Sequence, residues 1–240
     1  TCCGVNNRGA VLYNDKVISH TIDGRLIVTN KNTGEIEQDI TITDLSIGES
    51  ITAAPLVVKN AAITGIAGGE YGIRGYINST DIDTGKQNWR TYTIPAPDEP
   101  GGDTWKQGPE SHSKDAWMHG GGSTWVVGSY DPDLDVVYWG VGNPGPDWDN
   151  EYRPGDNLYS NSVLALDADT GKIKWYNSAK GFGFITPDNG GKDVFVHVSA
   201  VKASNLKELT DGQPITYELV EFRGREVAGN LQIIESNGNK

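Results

Sequence analysis

Two groups of residues in this chain have types and spacing that could do chemistry. In Lys180-Gly181-Phe182-Gly183-Phe184-Ile185 two Phe residues flank a glycine, and in Val194-Phe195-Val196-His197-Val198 Phe195 and His197 alternate with valines. Period-two spacing sends the rings to one side of an extended chain and the valines to the other. Ile185, Val194, Val196 and Val198 supply an apolar core, which leaves the rings for the opposite face. With Trp175, and edged by Lys174, Lys180 and Lys192, the rings form a candidate stacking platform. Unpaired bases stack on such rings with about 1–3 kcal/mol each, whatever the base, and the lysines attract phosphate. Phe is ordinarily a core residue, so a buried ring cluster is the competing reading. The second group is Cys2-Cys3. Adjacent Cα atoms lie about 3.8 Å apart, short of the usual disulfide span. Alone, the pair reads as two thiols or a strained small ring. His112 and His119, seven residues apart with no nearby Cys, are a weak metal pair.

These groups sit in a chain of short strands. Turn signals recur at Asn14-Asp15, Asp23-Gly24, Thr33-Gly34, Thr84-Gly85, Asp131-Pro132 and Thr170-Gly171, with short apolar or alternating runs between them. No stretch keeps a helical period for about ten residues, so the expected class is all-β. Asp81-Ile82-Asp83-Thr84-Gly85-Lys86-Gln87-Asn88-Trp89 matches Asp167-Ala168-Asp169-Thr170-Gly171-Lys172-Ile173-Lys174-Trp175, and Asn32-Thr33-Gly34-Glu35-Ile36 is a weaker copy. The copies are 51 and 86 residues apart. That fits one propeller blade and one blade with a long insertion, about residues 95–122. The Thr-Gly predicts a tight hairpin, and the Trp four residues on is placed to pack against the next blade. In the tail, strands are expected at Lys172 to Asn177, around the two ring motifs, at Pro214 to Phe222 and at Glu226 to Ile234.

The net charge of −12 is unevenly spread. Residues 1–170 carry 11 Lys and Arg against 24 Asp and Glu, whereas residues 171–240 carry 9 against 8. All four Phe lie in the second part and six of the seven Trp in the first. Such a shift predicts two units. The acidic unit argues against a nucleic-acid partner there, and the neutral one leaves it open. No run of about 18 apolar residues is present, so no membrane-spanning helix is expected. The chain opens on Thr1 and its only Met is Met118, which points to a processed chain or a piece of a longer one.

Four segments of the first unit resemble quinoprotein alcohol dehydrogenases, the methanol and ethanol dehydrogenase group. They are Thr1-Cys2-Cys3-Gly4-Val5-Asn6-Asn7-Arg8-Gly9, Ala67-Gly68-Gly69-Glu70-Tyr71-Gly72-Ile73-Arg74-Gly75, Gly121-Gly122-Ser123-Thr124-Trp125 and Gly140-Val141-Gly142-Asn143-Pro144. The resemblance runs from Thr1 to about Tyr176. It implies part of an eight-bladed propeller, about three blades, with pyrroloquinoline quinone (PQQ) and a Ca²⁺ or lanthanide ion as cofactors. It further implies a Cys2–Cys3 disulfide on one face of the quinone and Trp125 stacked on the other. Arg8 would pair with a quinone carboxylate. Thr52, Ser123 and the Ala67-Gly68-Gly69 backbone would bond cofactor oxygens. Glu70, on a ligand strand, and Asn143 would bind the cation as hard oxygen donors. Short alcohols would be the substrates. The family's catalytic Asp is expected just after the segment matching Asp167 to Tyr176, and there the sequence changes character, so no catalytic residue is assigned and no alcohol turnover is expected.

What replaces it resembles a bacterial cold-shock protein over residues 171–234. The two ring motifs match that family's ribonucleoprotein-type motifs, with Tyr176 where Phe is usual and Val198 where many members carry a further Phe. The resemblance implies a five-stranded OB-fold barrel that binds single-stranded DNA and RNA, through Lys174, Trp175, Lys180, Phe182, Phe184, Phe195 and His197. The expected organisation is a propeller fragment over 1–170, a cold-shock domain over 171–234 and a tail over 235–240. Both families read through Thr170-Gly171-Lys172-Ile173-Lys174-Trp175-Tyr176, as at a crossover between similar sequences. The barrel, otherwise complete, is expected to keep that strand. A cold-shock domain implies the cytoplasm, and a quinone dehydrogenase with a disulfide implies the periplasm.

Overall fold

In the computed structural model the chain is described for residues 6–106, 114–133, 135–173, 176–177, 182–185, 194–206, 209, 215–222 and 225–234. It divides into two compact units, Thr1–Lys172 and Ile173–Lys240.

The first unit holds three antiparallel sheets. Strands β1 (Ala10–Tyr13), β2 (Lys16–His20), β3 (Arg25–Asn30) and β4 (Ile36–Thr41) form one sheet in chain order, and β5 (Leu56–Val58), β6 (Ala61–Gly65), β7 (Tyr76–Asp81) and β8 (Gln87–Tyr92) form the next. The third sheet contains β9 (Ser129–Asp131), β10 (Val136–Gly140) and β11 (Val163–Asp167). Alternation in β2 and β3 turns Ile18, Leu26 and Val28 inward, where they pack with Ile51, Ala62, Ile66, Ile73, Tyr76 and Ile82. Five of the six residues of β7 are buried, as expected for a strand covered on both faces by stacked sheets.

The repeated motif is an Asx turn. Asp81 Oδ1 accepts from the N–H groups of Asp83 and Thr84 and from the Thr84 hydroxyl. Asp167 Oδ1 does the same with Asp169 and Thr170. In the first copy Asn30 takes that place, two residues before the repeat is visible in sequence. The glycine that closes each turn has positive φ, 78°, 70° and 69° at Gly34, Gly85 and Gly171. The turns also link the sheets. Trp89, buried on β8, donates its indole N–H to Ala168 O at 3.0 Å. Gln38 occupies the matching position on β4 and donates to Asp83 O at 2.7 Å.

The insertion after β8 carries two single turns of 3-10 helix, Gly102–Thr104 and Ala116–His119. Arg74 pins it. The guanidinium lies 3.9 Å from the Tyr92 ring centroid and 4.6 Å from that of Trp117, and it bonds Ile94 O and Glu99, each at 2.8 Å.

The second unit is a five-stranded sheet in the order β12 (Tyr176–Asn177), β13 (Phe182–Ile185), β14 (Val194–His197), β16 (Arg225–Ile233), β15 (Ile215–Phe222). Helix α1 (Val198–Ala203) follows β14. Val196, Val201, Leu209, Ala228 and Leu231 form its core, with Ile185 and Val194 against them. Sequence alternation predicts a strand through Val198, but it stops one residue earlier. His197 caps the helix instead, its Nδ1 accepting from the Ser199 N–H at 3.2 Å. β12 pairs with β13, Tyr176 opposite Gly183 and Asn177 opposite Phe182. The third sheet of the first unit therefore shows three strands among the described residues, and Tyr176 is paired in the second unit.

Candidate functional site

Three of the four segments singled out in the first unit converge through backbone hydrogen bonds. Gly75 N–H donates to Gly121 O, Gly121 N–H to Ile73 O, and Gly122 N–H to Asn143 O, at 2.8, 2.9 and 2.9 Å. Gly142 N–H donates to Ser123 O at 2.8 Å. The packing needs glycine. A Cβ placed on Gly69 or Gly142 would stand 3.1 Å from Ser123 Oγ, and one on Gly75 would stand 2.1 Å from Gly122 O.

Ala67 exchanges backbone hydrogen bonds with Ser50. After it the chain forms a turn of 3-10 helix over Gly69–Tyr71, bounded by Gly68 at φ 118° and Gly72 at φ 74°. Glu70 is therefore on an exposed turn, not on the strand predicted for it. The two left-handed glycines on either side break the extended run. His119 fixes the far end of this turn, its Nδ1 bonding Gly72 O at 3.0 Å. His112 lies outside the described residues, and no group of three or more His, Cys, Asp or Glu suited to a metal occurs among them.

Arg8, Thr52 and Trp125 meet at one place. The Arg8 N–H and Nη1 both donate to Thr52 O, at 3.1 and 3.2 Å. The Thr52 hydroxyl reaches Trp125 O at 3.4 Å, and the Arg8 guanidinium lies 5.1 Å from the Trp125 ring centroid. Trp125 is 44 % exposed, so its ring is available to a flat partner. What holds it is Thr124, which the sequence reading did not single out. Thr124 is fully buried, its hydroxyl accepts from Ile66 N–H and donates to Tyr76 O, and its carbonyl accepts from the Trp139 indole. A lone Thr next to a Trp carries no signal in sequence. Its role exists only because β6, β7 and β10 pass it.

Asn143 is exposed, and its amide nitrogen donates to Asp147 Oδ1 at 2.6 Å and to Pro144 O at 3.3 Å. An aromatic face beside a guanidinium suits a planar aromatic acid. The glycines around Ser123 let these backbones approach more closely than any Cβ would allow. Glu70 and the Asn143 carbonyl are oxygen donors of the kind a hard cation takes. The residues present thus fit a quinone acid and a hard cation. Cys2 and Cys3 lie outside the described residues.

In the second unit, the register sets Phe182 opposite His197 and Phe184 opposite Phe195. By this backbone register the four positions fall on one face of the sheet. The Phe195 and His197 rings stack, with centroids 6.3 Å apart and planes 23° from parallel. Val196 between them is 1 % exposed, on the core side. Lys174, Trp175, Lys180 and Lys192 lie outside the described residues.

Residues 2–179 match the family described as PQQ: glucose/ethanol/alcohol dehydrogenase, beta-propeller domain. The chain belongs to that family. Residues 169–234 match the 'cold-shock' DNA-binding domain, so the two matches overlap across the shared stretch Thr170 to Tyr176. The chain is 44 % identical to the quinohemoprotein alcohol dehydrogenase ADH IIB of Pseudomonas putida, over 89 % of its own length and 30 % of that protein. It is 41 % identical to the lanthanide-dependent methanol dehydrogenase of Methylacidiphilum fumariolicum, over 72 % of its length and 30 % of that protein. Among solved structures, a europium-containing methanol dehydrogenase superposes with a TM-score of 0.65 at 30 % identity, over 97 % of this chain and 42 % of that one. The quinohemoprotein alcohol dehydrogenase from Comamonas testosteroni gives 0.63 at 30 %, over 98 % and 36 %. The chain thus spans about three-tenths of the length of the curated relatives it matches. Among the described residues no helix is long and apolar enough to cross a membrane.

Proposed function

We propose that the cold-shock domain of this chain binds single-stranded nucleic acid on the face carrying Phe182, Phe184, Phe195 and His197, with Trp175 extending it and Lys174 and Lys180 engaging phosphate. The observation that supports this reading is the cross-strand register, which gathers four ring positions on the face opposite Val196. Binding of a labelled dT oligonucleotide, followed by anisotropy, tests it. Phe195→Ala should weaken binding about 5- to 150-fold, from about 1–3 kcal/mol of stacking, while leaving the far-ultraviolet circular dichroism unchanged. Absence of wild-type binding at low salt would refute the proposal.

A second reading rests on the meeting of Arg8, Thr52 and Trp125. In it the propeller segment is a remnant of a PQQ-dependent alcohol dehydrogenase that keeps a cofactor cradle. A quinone held there would supply hydride acceptance, the chemistry by which short alcohols are oxidised, and a Ca²⁺ or lanthanide ion would supply Lewis acidity. Arg8 would pair a carboxylate, Trp125 one ring face, and a Cys2–Cys3 disulfide the other. Thr52, Ser123 and the Ala67-Gly68-Gly69 backbone would bond oxygens, and Glu70 and Asn143 would take the cation. A reducing cytoplasm, where the first reading places the chain, would keep Cys2 and Cys3 as thiols.

A further inference from the structure

We infer that Asp147 is the positioning residue of the cation site, orienting Asn143 so that its carbonyl oxygen faces the ion; the inference rests on the second reading above. A carboxylate only accepts hydrogen bonds. The 2.6 Å contact with Asp147 Oδ1 therefore fixes the nitrogen side of the Asn143 amide. The other amide proton is shared with Pro144 O at 3.3 Å. That leaves Oδ1, which accepts no hydrogen bond among the described residues. Rotation of the amide would set two acceptors, Asn143 Oδ1 and the Asp147 carboxylate, against each other.

The loop that brings Asp147 there is itself built. Arg153 is 9 % exposed and holds Pro146 O at 3.1 Å, Asp147 O at 3.4 Å and Asn157 Oδ1 at 2.8 Å. Asn157, 3 % exposed, returns a hydrogen bond from its amide to Arg153 O. The Asn143 backbone is anchored separately, by Gly122 N–H on Asn143 O. With both backbones fixed, the Asn143 side chain is the remaining freedom, and Asp147 removes it. Groups behind a metal ligand commonly change metal affinity about 10- to 100-fold when removed.

Terbium(III) luminescence on the full chain tests this without turnover. Lifetimes in H₂O and D₂O count the waters left on the ion. Asp147→Ala should weaken Tb³⁺ binding about 10- to 100-fold and add one coordinated water, the same change as Asn143→Ala. In the Asn143→Ala background, Asp147→Ala should then add nothing. Asp147→Asn, which keeps an acceptor for the amide, should hold the wild-type water count, and it serves as the folded control. Additive effects of the two alanine changes, or an unchanged water count in Asp147→Ala, would overturn the positioning role and leave the cation site standing. Failure of the wild-type chain, or no weakening in Glu70→Ala, would remove the cation site and this inference together.

Discussion

His20 illustrates how a single side chain ties two sheets. It is 3 % exposed, with Nδ1 bonding Ala53 O and Nε2 bonding the Thr64 hydroxyl, each at 2.9 Å. Burial disfavours the charged ring and pushes its pKa down to about 4, from 6.5. The unfolded chain therefore takes up a proton near pH 6.5 that the folded chain refuses until about pH 4. The contribution of His20 is full above pH 6.5 and falls as the pH drops to about 4, by about 3 kcal/mol in all. Urea unfolding of the wild type and His20→Gln at pH 7.5 and 4.5 should show a smaller acid loss in the variant. Equal loss in both would place the acid sensitivity elsewhere. Its neighbours in sequence, Ser19 and Thr21, reveal none of this. Nor could the sequence show what holds Trp125, because Thr124 acts through partners on other segments.

The Asx turn and its glycine are the element on which the sheets are joined. Gly171 combines φ 69° with a Trp89 ring that a Cβ would approach to 2.5 Å. Gly34, at φ 78°, has nothing within 4 Å of such a Cβ. Gly171→Ala should cost about 2–4 kcal/mol, backbone strain and overpacking together. Gly34→Ala should cost only about 1–2 kcal/mol, the backbone part. Chemical denaturation monitored by Trp fluorescence would compare them, and equal costs would refute the docking of Trp89 on this turn. These turns were legible because Asp-x-Asp-Thr-Gly dictates its own local hydrogen bonds. Glu70 was not, since a strand and a 3-10 turn share the same glycine-rich spelling until φ is known.

At the scale of the molecule, the charge of −12 belongs almost wholly to the first unit. If Lys174, Lys180 and Lys192 each neutralise one phosphate, the logarithm of dT affinity should fall with the logarithm of salt at a slope of about −2. A flat salt dependence would exclude them. For this chain supplied with PQQ and Ca²⁺ or La³⁺, the expected outcome with ethanol is no dye reduction above a heat-denatured control. The reason is internal: where the Asp segment is expected, the sequence has become Gly181-Phe182-Gly183-Phe184. Clear reduction would refute this. By itself the sequence determined most of the strands, the hairpin turns and the place where two families meet, because each is written in local spacing. The tertiary structure decided how Arg8 and Trp125 are held. Those depend on hydrogen bonds between residues far apart in the chain, and no local pattern encodes which distant partner will be there.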